Sequence, residues 1–246
     1  MIAYVNSNPH NPTGAILPKP VLRSVVDIAR EYKLIVLCDE VYRPLFHSIS
    51  PSSDHFPPSL LQMPYQNVIV TGSMSKAYSL AGIRVGWIAS RSQDILTACS
   101  QARDYTTISV SQLDDQVAAY ALSQHCVHNL LARNIQLAKT NLALLDKFVE
   151  EHKLICQWTR PVAGTTAFVK FMKSGDPIDD VEFCVKLMDM TGVMFCPGSR
   201  CFGNEKDFKG YVRIGFCCET EVLQQGLDKL SVFMSSHFDD VPRADI

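Results

Sequence analysis

An α/β fold is what this 246-residue sequence predicts. Three observations carry that expectation. Short apolar runs suited to strands alternate with helix-length amphipathic stretches over the first 90 residues. A second, shorter α/β set comes after a long helical pattern. Polar, turn-rich motifs come after the apolar runs, where ligands bind in open α/β sheets.

The first run is IAYV (2–5), followed by a turn-rich segment. PKPVLRSVVDIAREYK (18–33) then places Val21, Leu22, Val25, Val26 and Ala29 on one helical face. LIVLC (34–38) is continuously apolar and reads as a strand buried on both sides, within a sheet covered by helices on both faces. A loop rich in Pro, Ser and His spans 44–66; that length calls for a functional reason or a short helix. NVIVT (67–71) and RVGWIA (84–89) complete the first set. Ser92 and Ser111 suit the N-caps of helices at 93–104 and 112–125. A pattern from about 127 to 152 reads as a connecting helix. Beyond it lie the segment WTRPVAGTTAFVKF, a helix at 179–191, strands at 193–195 and 211–216, and a last helix at 219–236. The reading is a first domain over 1–140 and a smaller one over 141–246.

Composition narrows the function. The chain is 47% apolar and 20% charged, with net charge −2. That balance gives no general attraction to nucleic acid or an anionic membrane. No apolar run reaches the ~18 residues a spanning helix needs. The N-terminus lacks a basic region before a long apolar core, so no signal peptide is expected. Nine scattered cysteines without a C-x-x-C pair read as reduced thiols in a cytoplasmic protein. The seven histidines show no ligand spacing, and no metal site is expected.

Four polar clusters remain. NPHNPTG (8–14) forces a tight turn through two Asn-Pro pairs and a glycine; a rigid turn leaves Asn11 unexplained, and its amide could donate to a ligand oxygen. In CDEVY (38–42), Asp39 ends an apolar strand and calls for a cation or a helix-capping role, while Tyr42 offers a phenol. In GSMSKAYSLAGIRVGW (72–87), Lys76 comes after Ser73 and Ser75 at a strand end. Partial burial and a following helix N-terminus would lower its pKa and free a nucleophilic amine. In YVRIGF (211–216), Arg213 lies inside an apolar strand, where it either meets a carboxylate with its planar fork or faces solvent from a sheet edge.

Together these motifs resemble the class I/II aminotransferases, pyridoxal-phosphate enzymes of fold type I similar to aspartate aminotransferase. Their order agrees, and so does the spacing: 28 residues from Asn11 to Asp39, 37 to Lys76 and 8 more to Arg84. The S-x-S-K-x7-R-x-G block is the most specific part.

The resemblance implies the C-terminal portion of the pyridoxal-phosphate-dependent transferase fold: a partial large-domain mixed sheet with flanking helices, plus a small α/β domain. It implies that Lys76 carries the cofactor as a Schiff base and moves the substrate Cα proton. Asp39 would hold the pyridinium nitrogen, and Asn11 and Tyr42 the ring oxygen. Ser73, Ser75 and Arg84 would bind the phosphate. Arg213, with Asn11, would bind the substrate, Arg213 through its α-carboxylate. PGSRCFG (197–203) resembles a segment near the family's substrate site and receives no role. The implied reaction is transamination between an amino acid and a 2-oxo acid, in amino-acid metabolism or biosynthesis, by a cytoplasmic homodimer. The same residues serve lyases of the aminocyclopropane-carboxylate synthase type. Only seven residues precede Asn8-Pro9, whereas the family carries a long segment there with a phosphate loop and an aromatic ring for the cofactor. The expectation is therefore a chain with an exposed sheet edge or face that associates with a missing N-terminal segment, or a truncated, non-catalytic paralogue.

Overall fold

The computed structural model describes residues 3–245; Ile2 of the first expected strand lies outside the described residues. The chain forms two compact units. One comprises Met1–Asn11, Ala15–Ile135 and Val162–Gly164, the other Pro12–Gly14, Gln136–Pro161 and Thr165–Ile246.

The first unit holds a four-stranded mixed sheet of β1 (Ala3–Ser7), β2 (Ile35–Asp39), β3 (Val68–Ser73) and β4 (Gly86–Ser90), in that order. β1, β2 and β3 are parallel and β4 runs antiparallel to β3. Their register sets Ser7 beside Asp39 and Asp39 beside Thr71. Three strand ends therefore converge on one edge of the sheet.

Helix α1 (Lys19–Glu31) starts after Pro18 and carries Pro20 in its first turn, where a missing N–H costs no helical bond. Leu22, Val26 and Ala29 bury fully and pack with Val36, Cys38, Val68 and Val70. Val21, expected on that face, is exposed; the 3.6-residue period leaves it at the rim of the stripe. β2 also differs from expectation. Its residues alternate between half-buried and buried, so only the Val36–Cys38 face is sealed.

The 44–66 loop carries one 3-10 turn at Leu60–Gln62. Buried Glu40 anchors it, accepting hydrogen bonds from Leu60 N (2.8 Å) and Ser59 Oγ (3.1 Å). α2 (Gln93–Asp104) and α3 (Gln112–Ala121) begin at Ser92 and Ser111, whose side chains cap them as expected. α3 stops four residues short of the expected 125, its end closed by Leu122 and the turn after it. α4 (Val127–Glu151) comes next; its early residue Asn134 donates to Ala77 O at 2.8 Å and so ties the helix to the segment just after Lys76.

The second unit has an antiparallel sheet ordered β5 (Cys156–Trp158), β6 (Thr166–Lys173), β9 (Tyr211–Gly215), β8 (Cys196–Pro197), with β7 (Asp176–Pro177) pairing β6. α5 (Asp180–Thr191), the single turn α6 (Gly198–Phe202) and α7 (Thr220–Ser236) complete it. Its core joins Leu142 and Leu145 of α4 to Phe171, Phe183, Leu187, Ile214, Leu230 and Phe233. Buried Asn141 fixes the turn after β9, donating to Phe216 O (2.7 Å) and Cys218 O (2.8 Å) and accepting from Thr220 (2.8 Å). The strand expected at 193–195 forms instead at 196–197. Gly192 ends α5 in the left-handed region, and Met194 then points into solvent.

Candidate active site

In the first unit the candidate residues lie just beyond the carboxyl ends of parallel strands. After β1 the chain turns sharply through a cis Asn8-Pro9 bond. Buried Asn8 holds the turn: its N–H donates to Asp39 O (3.0 Å), and its side chain accepts from Leu17 N (2.9 Å). Asn8 takes the structural part of the motif, and Asn11 sits half-buried on the turn itself.

Asp39 closes β2. Its Oδ1 accepts from Thr71 Oγ1 (3.0 Å) and Val41 N (3.2 Å), so the carboxylate points along the sheet edge. Both bonds use one oxygen, which leaves Oδ2 for an outside donor. Among the described residues Asp39 makes no ion pair. A half-buried carboxylate of this kind fits a cationic N–H such as a protonated pyridine nitrogen. Tyr42, three residues on, is buried, and its ring lies beside Gly164.

Ser73 ends β3 on the same face as Thr71, two residues back. Its Oγ accepts from Ser75 N at 2.9 Å, which curls the chain into the turn that carries Lys76. Lys76 Nζ lies 6.0 Å from the centre of the Tyr42 ring. Two local expectations fail here. Lys76 is exposed, and the chain beyond it forms a turn and a short 3-10 segment (Ala81–Ile83), with no α-helix N-terminus. Arg84, expected to open a strand, ends that 3-10 segment in the left-handed region (φ 55°). It is exposed and donates to Ala81 O at 2.9 Å.

The structure thus brings Asp39, Tyr42, Ser73, Ser75 and Lys76 to one end of the sheet, with Asn11 just past β1 there. Arg213 belongs to the second unit, on β9 opposite Cys196 of β8. Its Nη2 donates to Cys196 Sγ at 3.1 Å, and its guanidinium lies 5.4 Å from the Phe202 ring centre. It is a half-buried arginine lodged among soft and aromatic groups.

Sequence reasoning missed Thr71 and Cys196. Thr71 was within reach: it shares a strand face with Ser73 and stands in the lateral line of Asp39. Cys196 had no such signal, because its pairing with Arg213 depends on the position of β8. Among the described residues no group of three or more His, Cys, Asp or Glu side chains could hold a metal ion, and no helix is long and apolar enough to cross a membrane.

The fold, with Asp39 and Lys76 at the strand ends of its first unit, is that of an aminotransferase-like α/β protein. The sequence pattern of the family "Aminotransferase class I and II" matches residues 4–230, and the chain belongs to that family, whose members depend on pyridoxal phosphate. It is 30% identical to capreomycidine synthase of Streptomyces vinaceus over 93% of its own length and 54% of that protein's. It is 27% identical to aspartate aminotransferase of Thermotoga maritima, over 95% of this chain and 56% of that one. A crystal structure of a PLP-dependent aminotransferase from Streptococcus suis 89-1591 superposes with a TM-score of 0.82 at 36% identity, covering 96% of this chain and 57% of the other. The chain thus spans about half the length of the curated relatives it matches. The fold is the C-terminal portion of that of the pyridoxal-phosphate-dependent aminotransferases.

Proposed function

We propose that this chain exchanges an amino group between an amino acid and a 2-oxo acid, using pyridoxal phosphate held at the carboxyl ends of β1–β3. The observation that carries the reading is the convergence there of Asp39, braced by Thr71, with Tyr42 and Lys76. Asp39 would hold the proton on the pyridine nitrogen, and Asn11 and Tyr42 would donate to the ring oxygen. Ser73, Ser75 and Arg84 would bind the phosphate, Arg84 with a fixed charge and a planar fork. Lys76 would supply the amine that carries the cofactor and, once released, move the proton at Cα. Arg213, with Asn11, would take the substrate, the guanidinium orienting its α-carboxylate for proton removal. When bound, pyridoxal phosphate supplies an electron-accepting ring to the carbon that bears the amine. In this reading residues 1–140 serve as the cofactor-binding domain and 141–246 as the small domain. The assembly is a cytoplasmic homodimer or a complex with an N-terminal segment like that of the longer relatives.

A second reading keeps the same residues and changes the fate of the α-carbon. The similarity to a capreomycidine synthase favours it, since that name denotes a synthase. Transfer of a 15N-labelled amino group to an added 2-oxo acid separates the two reactions. The general test is spectroscopic. Purified with pyridoxal phosphate, the chain is expected to show a yellow absorbance band that borohydride fixes covalently to Lys76. Lys76→Ala abolishes the band, whereas Arg213→Ala keeps it and loses amino-acid affinity. A colourless protein, or one that releases the cofactor on desalting, points to a non-catalytic paralogue and ends the catalytic reading of this chain.

A further inference from the structure

PGSRCFG (197–203) has no role in the chemistry above, yet it brackets Arg213. Cys196 enters it from β8 and gives its sulfur to the Arg213 guanidinium (Nη2 to Sγ, 3.1 Å). Cys201 lies within hydrogen-bonding reach of the Cys196 side chain; burial and that neighbouring sulfur raise its thiol, and the guanidinium charge partly offsets them. Phe202, the next residue, puts its ring 5.4 Å from that guanidinium and meets Phe168 edge-on at 5.6 Å. Two thiols and an aromatic wedge from one short strand–turn unit thus meet a cation on the neighbouring strand β9.

The remaining cysteines of the second unit differ. Burial raises the Cys156, Cys184 and Cys217 thiols to about 12 and the Cys218 thiol upward as well, with no guanidinium to offset it. Cys201 is exposed and Cys196 half-exposed. Reactive thiols are those that combine access with a neighbouring cation.

We propose that Cys196 and Cys201 are a modification site for peroxide-class oxidants, closing to a disulfide that pulls the turn and moves the Arg213 guanidinium from its seat. The step balances with hydrogen peroxide. The Cys196 thiolate attacks the peroxide; the O–O bond breaks, a sulfenic acid forms, and the departing hydroxide takes up the thiol proton as water. The Cys201 thiol then displaces the sulfenic hydroxyl as a second water, and the S–S bond closes. Two thiols lose two electrons and one peroxide gains them. A dithiol reductant reverses the change by exchange. Because Cys201 adjoins Phe202, closure shifts two groups in contact with the guanidinium, Cys196 and Phe202. The effect on substrate depends on the reading of Arg213 as the carboxylate site and rests on it.

The test uses the full chain and needs no turnover. Trypsin cuts after Arg200, so the disulfide appears as peptides 187–200 and 201–206 linked together and separated by dithiothreitol. Each of these peptides holds one cysteine, which makes the assignment unique. Graded peroxide is expected to produce the linked pair before Cys156, Cys184 or Cys217 is modified. In step with it, the rate at which phenylglyoxal labels Arg213 rises, and it returns with dithiothreitol. Cys201→Ser loses both changes while its reduced-state labelling matches the parent. Failure of the linked peptides to form, or their formation with unchanged Arg213 labelling, overturns the proposal. Binding of 2-oxoglutarate, as a probe, should weaken about 10-fold or more on oxidation, the effect of losing a hydrogen-bonded charge pair. Linked peptides and altered labelling with unchanged 2-oxoglutarate affinity uphold the redox pair and remove the carboxylate reading of Arg213.

Discussion

Asp180 provides a severe test of how the Arg213 neighbourhood is held. It lies in the first turn of α5 and is 2% exposed. Its Oδ2 accepts from Ser199 N (2.9 Å) and Ser199 Oγ (2.8 Å), and its Oδ1 from Gly210 N (3.1 Å). One carboxylate therefore pins α6 and the entry to β9, the two segments that bracket Arg213. Asp180→Ala strands two backbone N–H groups and a hydroxyl away from water. Each hydrogen bond to a charged acceptor is worth about 1.5–3 kcal/mol, and three that share one group do not add fully, so a loss of about 3–5 kcal/mol is expected. Asp180→Asn keeps one acceptor oxygen but turns an NH2 toward a remaining donor, and should lose roughly 1–3 kcal/mol. Urea unfolding followed by Trp158 fluorescence, in a Trp87→Phe background, reads the second unit. Hydrogen exchange at the Ser199 and Gly210 amides reads the clamp itself. An Asp180→Ala loss below about 1 kcal/mol, with both amides still protected, would refute the clamp.

Three further outcomes are expected. Burial, only partly offset by Leu60 N–H, Arg43 and Ser59, raises the Glu40 pKa above its ordinary 4.5; the folded state then holds this proton more tightly than the unfolded one, and stability falls as pH rises from that value through the raised one. Glu40→Gln removes that slope, and urea midpoints across the interval should show the two proteins diverging as pH rises; parallel curves would count against the buried carboxylate. Thr71→Val deletes the hydroxyl bond to Asp39 with little change in shape, and a pyridoxal-phosphate titration should show affinity about 10-fold lower at nearly unchanged stability. Gly198→Ala would put a Cβ 2.7 Å from Tyr211 O, so calorimetric unfolding should show a loss of about 1–3 kcal/mol from overpacking.

The sequence made the α/β class and most elements legible, because amphipathic periods and capping residues are local signals. Ser92 and Ser111 named their helices' first turns, and the helices expected at 179–191 and 219–236 formed as α5 and α7. Errors arose where tertiary context outranks pattern. LIVLC is apolar throughout, yet β2 seals only one face, because the helix and loop core lies on the Val36–Cys38 side. The expected strand at 193–195 moved because Gly192 in the left-handed region delays the chain, and β8 forms only where β9 offers a partner.

The site residues were legible for a different reason. Asp39 and Ser73 terminate strands, Asn11 and Lys76 lie on the turns beyond them, and strand ends are visible in sequence as the place where an apolar run stops. The contacts those residues make were not visible. Lys76 is the clearest case: a lysine between serines at a strand end suggested an amine activated by its own burial and by a helix N-terminus. The structure supplies neither, since the side chain is exposed and a turn comes after it. Within the first unit the chemistry proposed for Lys76 therefore rests on position, above the Tyr42 ring and at the strand ends that present Asp39. On the proposed reading, an amine placed by its neighbours in this way would lose its role when the turn is disturbed, even though its own side chain is intact. The Ser73–Ser75 bond and the Asn134–Ala77 bond, which shape the chain on either side of Lys76, then belong to the site as much as the lysine does.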